Sequence, residues 1–143
     1  MSDHPAAVVS APWLAHEIAR DRLAGHLTRS GEPFIAHVER VAAGVAYPAR
    51  TVAYLHDVLE HTDTSPDELV ELGLEPLELA TLNVLTRYGD ESFEAHALRV
   101  AYAKGPEGVL ARAVRRADID DHLARMPSTA TAPYYWARRH VMR

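Results

Sequence analysis

A chain of 143 residues with 48% apolar side chains is long enough to bury a core of its own, and a single domain spanning 1–143 is the expectation. It has no cysteine, which excludes disulfides, thiolate metal sites and cysteine nucleophiles, so any metal must sit on imidazole and carboxylate. A formal charge of −5 argues against DNA or RNA as partner, which would need a basic surface. An anionic small molecule stays open, because a bound cation and a few arginines reverse the sign locally.

In chain order, Met1 to Ala11 carries an acid and a histidine early and no Arg/Lys-led apolar stretch, so it does not read as an export signal. No apolar run anywhere approaches the roughly 20 residues of a bilayer span, and a cytoplasmic protein without a membrane partner is expected. Seven of the nine prolines (Pro12, Pro33, Pro48, Pro66, Pro76, Pro106 and Pro133) stand just ahead of a segment with helical periodicity. Proline suits the first helical position, where its missing N–H had no partner, so each marks a helix start. After Pro33, residues Phe34, Val38, Val41 and Val45 recur every three or four positions, and after Pro48 so do Val52, Leu55, Val58 and Leu59. Ser65-Pro66-Asp67-Glu68 reads as a capping box. Leu77, Ala80, Val84 and Leu85 mark a further helix ended near Gly89, after which Asp90 caps Glu91 to Lys104. Gly105-Pro106 separates that from Glu107 to Arg125, and a last helix runs from Pro133 to the C-terminus. With no sustained two-residue alternation, the expected fold is all-α: a compact bundle of about seven or eight helices with short connections.

The segment Ala53 to Thr62 carries the densest chemistry. At about 100° per residue, a helix places His56, Asp57, Glu60 and His61 within a sector of about 140°, with Ala53 and Val58 opposite. A buried charge is expensive unless it is paired or bound to metal. For a lone His-Asp pair a solvated helix face is the plainer reading, but two further segments favour a site. Ser30 to His37 puts a histidine on the first turn of the preceding helix, and Val114 to Asp118 ends a basic, apolar stretch in an aspartate. Two neutral imidazoles and two carboxylates leave positions for water and substrate, which suits Mn²⁺, Fe²⁺ or Zn²⁺ better than a structural zinc cage.

SGEPFIAH at 30–37, LHDVLEHTDTSPDEL at 55–69, LTR at 85–87 and RRAD at 115–118, in that order, resemble the hydrolase domain of RelA/SpoT-type enzymes and small alarmone hydrolases. Those are HD-superfamily proteins that remove pyrophosphate from the 3′ position of (p)ppGpp. The resemblance covers roughly residues 14–126. It implies an HD-domain bundle with one divalent ion, Mn²⁺ first and Fe²⁺ or Zn²⁺ otherwise, held by His37, His56, Asp57 and Asp118. Glu60 matches the first acid of the family's HDxxED motif, which orients or deprotonates the attacking water. Arg29 stands where the family uses a basic residue against guanine, Phe34 where a tyrosine is usual, and Arg115 where a lysine lies near the phosphates. The chain departs from the pattern in three places: His61 replaces the second acid, Val38 replaces a proline, and ADRLHN reads Ala117-Asp118-Ile119-Asp120-Asp121-His122. The implied activity is that of a (p)ppGpp 3′-pyrophosphohydrolase. The departures keep two alternatives open, an HD-type (deoxy)nucleotide monophosphatase and a nucleotide-sensing module that no longer hydrolyses.

His61 reads either as a proton donor or phosphate contact or as a surface residue beside Thr62. His122, one turn after Asp118, reads as a pocket residue near substrate or as helix surface. Asp121 reads as a carboxylate partner for a ligand histidine and Asp120 as solvent-facing. Of the cluster Arg112, Arg115 and Arg116, Arg115 is the best placed to face an anion. His4, His16, His26, His96 and His140 have no ligand-like surroundings, His16 and His140 reading as surface. Trp13, Tyr134, Tyr135 and Trp136 read as core or an oligomer contact rather than a base-stacking platform.

Overall fold

Along residues 11–141, which a computed structural model describes, eight α-helices follow one another: α1 (Pro12–Arg22), α2 (Phe34–Ala43), α3 (Tyr47–His61), α4 (Pro66–Glu71), α5 (Pro76–Leu85), α6 (Phe93–Tyr102), α7 (Gly105–Arg125) and α8 (Ala132–Val141). A 3₁₀ turn, Ser128–Ala130, precedes α8. The described residues contain no strand; a lone antiparallel bridge joins Leu27 to Pro33. The fold is all-α, and no described helix is long and apolar enough to cross a membrane. Residues 1–10, on which the expectation about an export signal falls and which include His4, lie outside the described residues, as do 142 and 143.

All seven helix-starting prolines sit where expected. Pro12, Pro48, Pro66, Pro76 and Pro106 occupy the first or second position of α1, α3, α4, α5 and α7. Pro33 is the N-cap of α2, and Pro133 is the second residue of α8. The boundaries that differ do so for tertiary reasons. Helix α5 stops at Leu85 rather than near Gly89 because Arg99, from α6, takes its final carbonyls. The Arg99 guanidinium donates to the oxygens of Asn83 (3.1 Å), Val84 (3.1 Å) and Thr86 (2.6 Å), and its Nε donates to Glu91 (2.8 Å). Glu91 is thereby held in the loop, and Ser92, not Asp90, caps α6 by accepting from the Ala95 N–H (3.0 Å). Half of the expected box at Ser65 forms. Ser65 Oγ accepts from the Glu68 N–H (3.1 Å), but Glu68 accepts from Arg22 of α1 (2.5 Å) instead of reaching back. The reach-back occurs one helix later, where Glu78 accepts from the Glu75 N–H (3.0 Å).

Helices α3 and α7 are the central pair. Helix α3 packs against α1, α2, α5 and α7, and α7 against α2, α3, α5, α6 and α8. Val52 and Leu55 of α3 share a core with Ala111, Val114 and Ile119 of α7 and Leu82 of α5, while Val58 packs with Ala19, Leu23 and Val38, all buried; each such leucine or isoleucine contributes about 1.5–3 kcal/mol. Arg112 serves this scaffold rather than a site: its Nη1 donates to the carbonyls of Val100 (3.3 Å), Ala101 (3.4 Å) and Ala103 (2.7 Å), capping α6. The first turn of α7 can pass so close to Ala103 because residue 108 is glycine; a Cβ there would lie 2.1 Å from the Ala103 oxygen. His16 and His140 are half-buried rather than surface residues. His16 pairs with Glu39 (2.6 Å) and stacks on Tyr54, ring centres 4.6 Å apart. His140 donates to the Trp136 carbonyl (2.9 Å).

Candidate metal centre

Three helices deliver the ionisable cluster. His37 comes from the first turn of α2, His56 and Asp57 from the penultimate turn of α3, and Asp118 from the middle of α7. These four are 3–5% exposed, while the apolar sides of the same helices form the core. His37 Nε2 lies 2.9 Å from Asp118 Oδ1 and 3.7 Å from Asp57 Oδ2, and His56 Nε2 lies 3.3 Å from the same Asp57 oxygen. Among the described residues, no hydrogen bond reaches that buried oxygen. His56, Asp57 and Asp118 each offer one donor atom within 4.8 Å of the others, as do His37, Asp118 and His122. This His/Asp cluster has the composition and spacing to hold a metal ion.

Each buried imidazole is oriented by its other nitrogen. His56 Nδ1–H donates to the Ala53 carbonyl (3.0 Å) and His37 Nδ1–H to Asp121 Oδ2 (2.6 Å). Both acceptors hold a proton on Nδ1 and aim Nε2 at the cluster; a cation there would take the lone pair of Nε2 on His56 and, displacing the proton His37 shares with Asp118 (2.9 Å), on His37. Asp121 is itself clamped: Arg40 donates to both its oxygens (2.6 and 3.0 Å) and also reaches Glu32 (2.5 Å), with Arg125 Nε 3.4 Å away. Burial pushes the Asp121 carboxyl up, but the hydrogen bonds from Arg40 and His37 outweigh it and bring it to about 2. Burial disfavours charge on His37, yet the hydrogen bond to Asp118 and the charges of Asp118 and Asp57 carry it up to about 9. The same contest, with Asp57 as the main charge, raises His56. The interior of the cluster therefore attracts positive charge strongly.

Asp118 is buried, but His122, His37 and Arg115 hold its carboxyl well below the usual range. Arg115 donates to Asp118 Oδ2 and lies over the Phe93 ring (5.5 Å), leaving Oδ1 for the cluster. His122 is half-buried, its Nε2 3.4 Å from Asp118 Oδ1 and its ring 4.8 Å from that of His37. Glu60 stands at the rim, open to solvent on one side; burial on the other pushes its carboxyl up, and its Oε1 accepts from the Arg87 N–H (3.1 Å). His61, also at the rim, lies 3.7 Å from Asp57 Oδ1, its ring against Phe34 (4.6 Å). Phe34 in turn meets His37 edge-on (5.7 Å). Arg29 is exposed on the turn between Leu27 and Pro33, outside the cluster but close enough for its charge to act on the Tyr134 hydroxyl.

Arg40 and Tyr134 are neighbours of the cluster that the sequence did not place there. Arg40, one turn after His37, could have been suspected from that spacing alone. Tyr134, half-buried, packs on His122 (4.9 Å) and Phe93 (5.3 Å), so it lines the approach as well as the core. Arg116 and Asp120 point to solvent, Asp120 pairing with Arg138 (2.9 Å). No protein-family model matches the chain, and no curated protein matches it.

Proposed function

We propose that this chain is a metal-dependent phosphohydrolase of HD type, acting on a nucleotide phosphate or pyrophosphate with (p)ppGpp as the favoured substrate. One observation carries the reading. Asp57 Oδ2, buried and without a hydrogen bond, faces two imidazoles turned toward it from two helices, with Asp118 of a third helix alongside. Leaving a buried acceptor unsatisfied costs about 1–3 kcal/mol, and more when it is charged, so the arrangement makes sense as a cation cradle. His37, His56, Asp57 and Asp118 would hold the ion, and their mixed nitrogen and oxygen donors suit Mn²⁺, Fe²⁺ or Zn²⁺. When bound, such an ion makes water nucleophilic near neutral pH and offsets the charge of a phosphoryl oxygen.

The protein's own groups supply the rest. Glu60 follows His56 by one turn, and the Arg87 N–H anchors one of its oxygens, leaving the other to orient the attacking water and take its proton. Its raised pKa keeps it basic enough for that transfer. Arg29, on the exposed turn before α2, gives an anionic nucleotide a charge to approach, and Phe34 and Tyr134, packed on His61 and His122, give it rings to rest against. His61, 3.7 Å from Asp57 Oδ1, and His122, 3.4 Å from Asp118 Oδ1, are the imidazoles available to protonate a leaving group.

The test is to incubate Mn²⁺-loaded protein with (p)ppGpp and separate the products. GDP or GTP plus pyrophosphate is expected, and no turnover by wild type removes this substrate. A second reading, a (deoxy)nucleotide monophosphatase, is favoured by the engagement of Arg115 with Asp118, which leaves less positive charge for a second phosphate. Release of orthophosphate from nucleoside monophosphates would select it.

A further inference from the structure

We propose that a groove on the side of α7 turned away from Asp118 binds a small organic phosphate, whatever the His/Asp cluster holds. At about 100° per residue, Arg116 and Asp120 stand about 160° round α7 from Asp118, and both line this groove. Small residues leave the space open. Gly44, the C-cap of α2, and Ala117 of α7 both line it. A Cβ at Gly44 would meet the Ala117 Cβ at 3.4 Å, so the two helices approach closely there and a longer side chain at either position would fill the groove. Val45, Val141, Ala113 and the 61% exposed Val109 give it apolar surface. Its volume is about 470 Å³, within the roughly 300–1,000 Å³ of small-molecule sites.

The charge of the groove runs against that of the chain. With 20 acidic residues to 15 basic ones, most arginines should find a carboxylate. Arg116 is exposed and pairs with none among the described residues. Arg112 spends its Nη1 on carbonyls of α6 and its neighbourhood, which leaves its charge without a counter-ion. Two more arginines border the groove. Arg50 Nη2 donates to the Val45 oxygen (3.2 Å), and Arg138 Nε lies 2.9 Å from Asp120 Oδ1, off the line of a hydrogen bond. Both keep a buried Nε with no hydrogen-bond partner among the described residues. Asp120 is the one carboxylate among the described lining residues. Four guanidiniums thus gather round a single acid in a protein of formal charge −5.

That excess sets the class of ligand. The guanidinium fork matches phosphate and carboxylate alike, but a phosphate carries up to two charges and offsets more of the surplus. Arg112 and Arg116 stand four residues apart, one above the other on α7, so a single phosphate reaches both. The valines and Ala113 suit an apolar body behind it, and Asp120 accepts from a hydroxyl or amine. A nucleoside monophosphate has all three parts.

The experiment titrates ¹⁵N-labelled, metal-free full-length protein with AMP and, separately, with inorganic phosphate, following backbone amide shifts. Saturable shifts at residues 44–46 and 109–117 are expected, with AMP bound more tightly than inorganic phosphate. Arg116→Glu reverses a charge at an exposed position without an ion pair, and Ala113→Trp fills the groove from an exposed position. Each should weaken AMP at least about tenfold, with unchanged urea midpoints, while Asp118→Asn leaves the shifts as they are. Shifts confined to the surroundings of His37, His56 and Asp118, loss of binding in Asp118→Asn, or affinity indifferent to either groove variant overturns the proposal. Equal affinity for inorganic phosphate and AMP overturns the assignment of an organic ligand.

Discussion

Asp121→Asn removes one charge behind His37 and changes almost nothing in shape. In the native cluster the carboxylate accepts from His37 Nδ1–H at 2.6 Å and is clamped by Arg40 at 2.6 and 3.0 Å. With the amide, the ring keeps an acceptor but loses the negative charge that makes Nε2 a strong donor and fixes its aim. Loss of such outer partners costs about 10- to 100-fold in metal affinity, or about 1.4–2.8 kcal/mol. The fold should suffer less. Arg40 keeps Glu32 (2.5 Å), and Arg40 and Arg125 are partly in water, where ion pairs contribute little. Competition against a fluorescent chelator measures the affinity, and urea unfolding of the metal-free protein measures stability alongside. Mn²⁺ binding within twofold of wild type, while Asp118→Asn abolishes it, would refute the claim that the Asp121–Arg40 pair tunes the centre.

Three further predictions concern the scaffold. Gly108→Ala should destabilise by about 1–3 kcal/mol in urea, because the new methyl meets the Ala103 carbonyl at 2.1 Å; an unchanged midpoint would contradict that approach. His96 is buried with its Nε2–H on the Val84 carbonyl (3.2 Å), and burial together with Arg115 brings its pKa down from 6.5 to about 4. Its contribution is thus complete above pH 6.5 and is lost as pH falls toward 4, where the unfolded chain takes a proton the folded one refuses. The loss is at most about 3 kcal/mol, and His96→Gln should flatten that part of the stability–pH curve in chelator; curves that stay parallel would contradict it. Arg99→Met should cost about 1–3 kcal/mol and speed amide exchange at the end of α5, since three carbonyls lose their donor; unaltered exchange there would show that water caps the helix equally well.

Helix starts were legible because proline imposes a local rule that needs no partner, and the polar face of α3 was legible because a period of 3.6 is local too. Helix ends, and the start of α6, which has no proline, were not. The stop at Leu85 is made by Arg99, fourteen residues on, and the cap at Ser92 follows from Glu91 being taken by the same arginine. Glu68 had the right spacing for a capping box and lost it to Arg22, a partner 46 residues away. The cluster divides the same way. Period and motif order pointed to His37, His56, Asp57 and Asp118, which the fold brings together; the spacing of Arg40 after His37 puts it on the same face, but its partner Asp121 lies 81 positions away and that spacing does not name it. Tyr134 was read as core from its helical spacing, and it is half that; its other half faces His122.

The pairing of the carboxylates argues where positive charge belongs. Asp118 has Arg115 on one oxygen, Asp121 has Arg40 on both, and Glu32 shares Arg40. Arginine is permanently charged and rigidly forked, so these acids are satisfied and hold their geometry. Among the described residues no arginine pairs with Asp57. Its nearest nitrogens are imidazoles, His56 and His37 on one oxygen and His61 on the other, which are neutral ligands as readily as cations. Had the cluster been a structural ion-pair network, an arginine at this central acid would have closed it. Imidazoles there, with arginines only around the outside, leave Asp57 as the position where a metal ion competes on favourable terms.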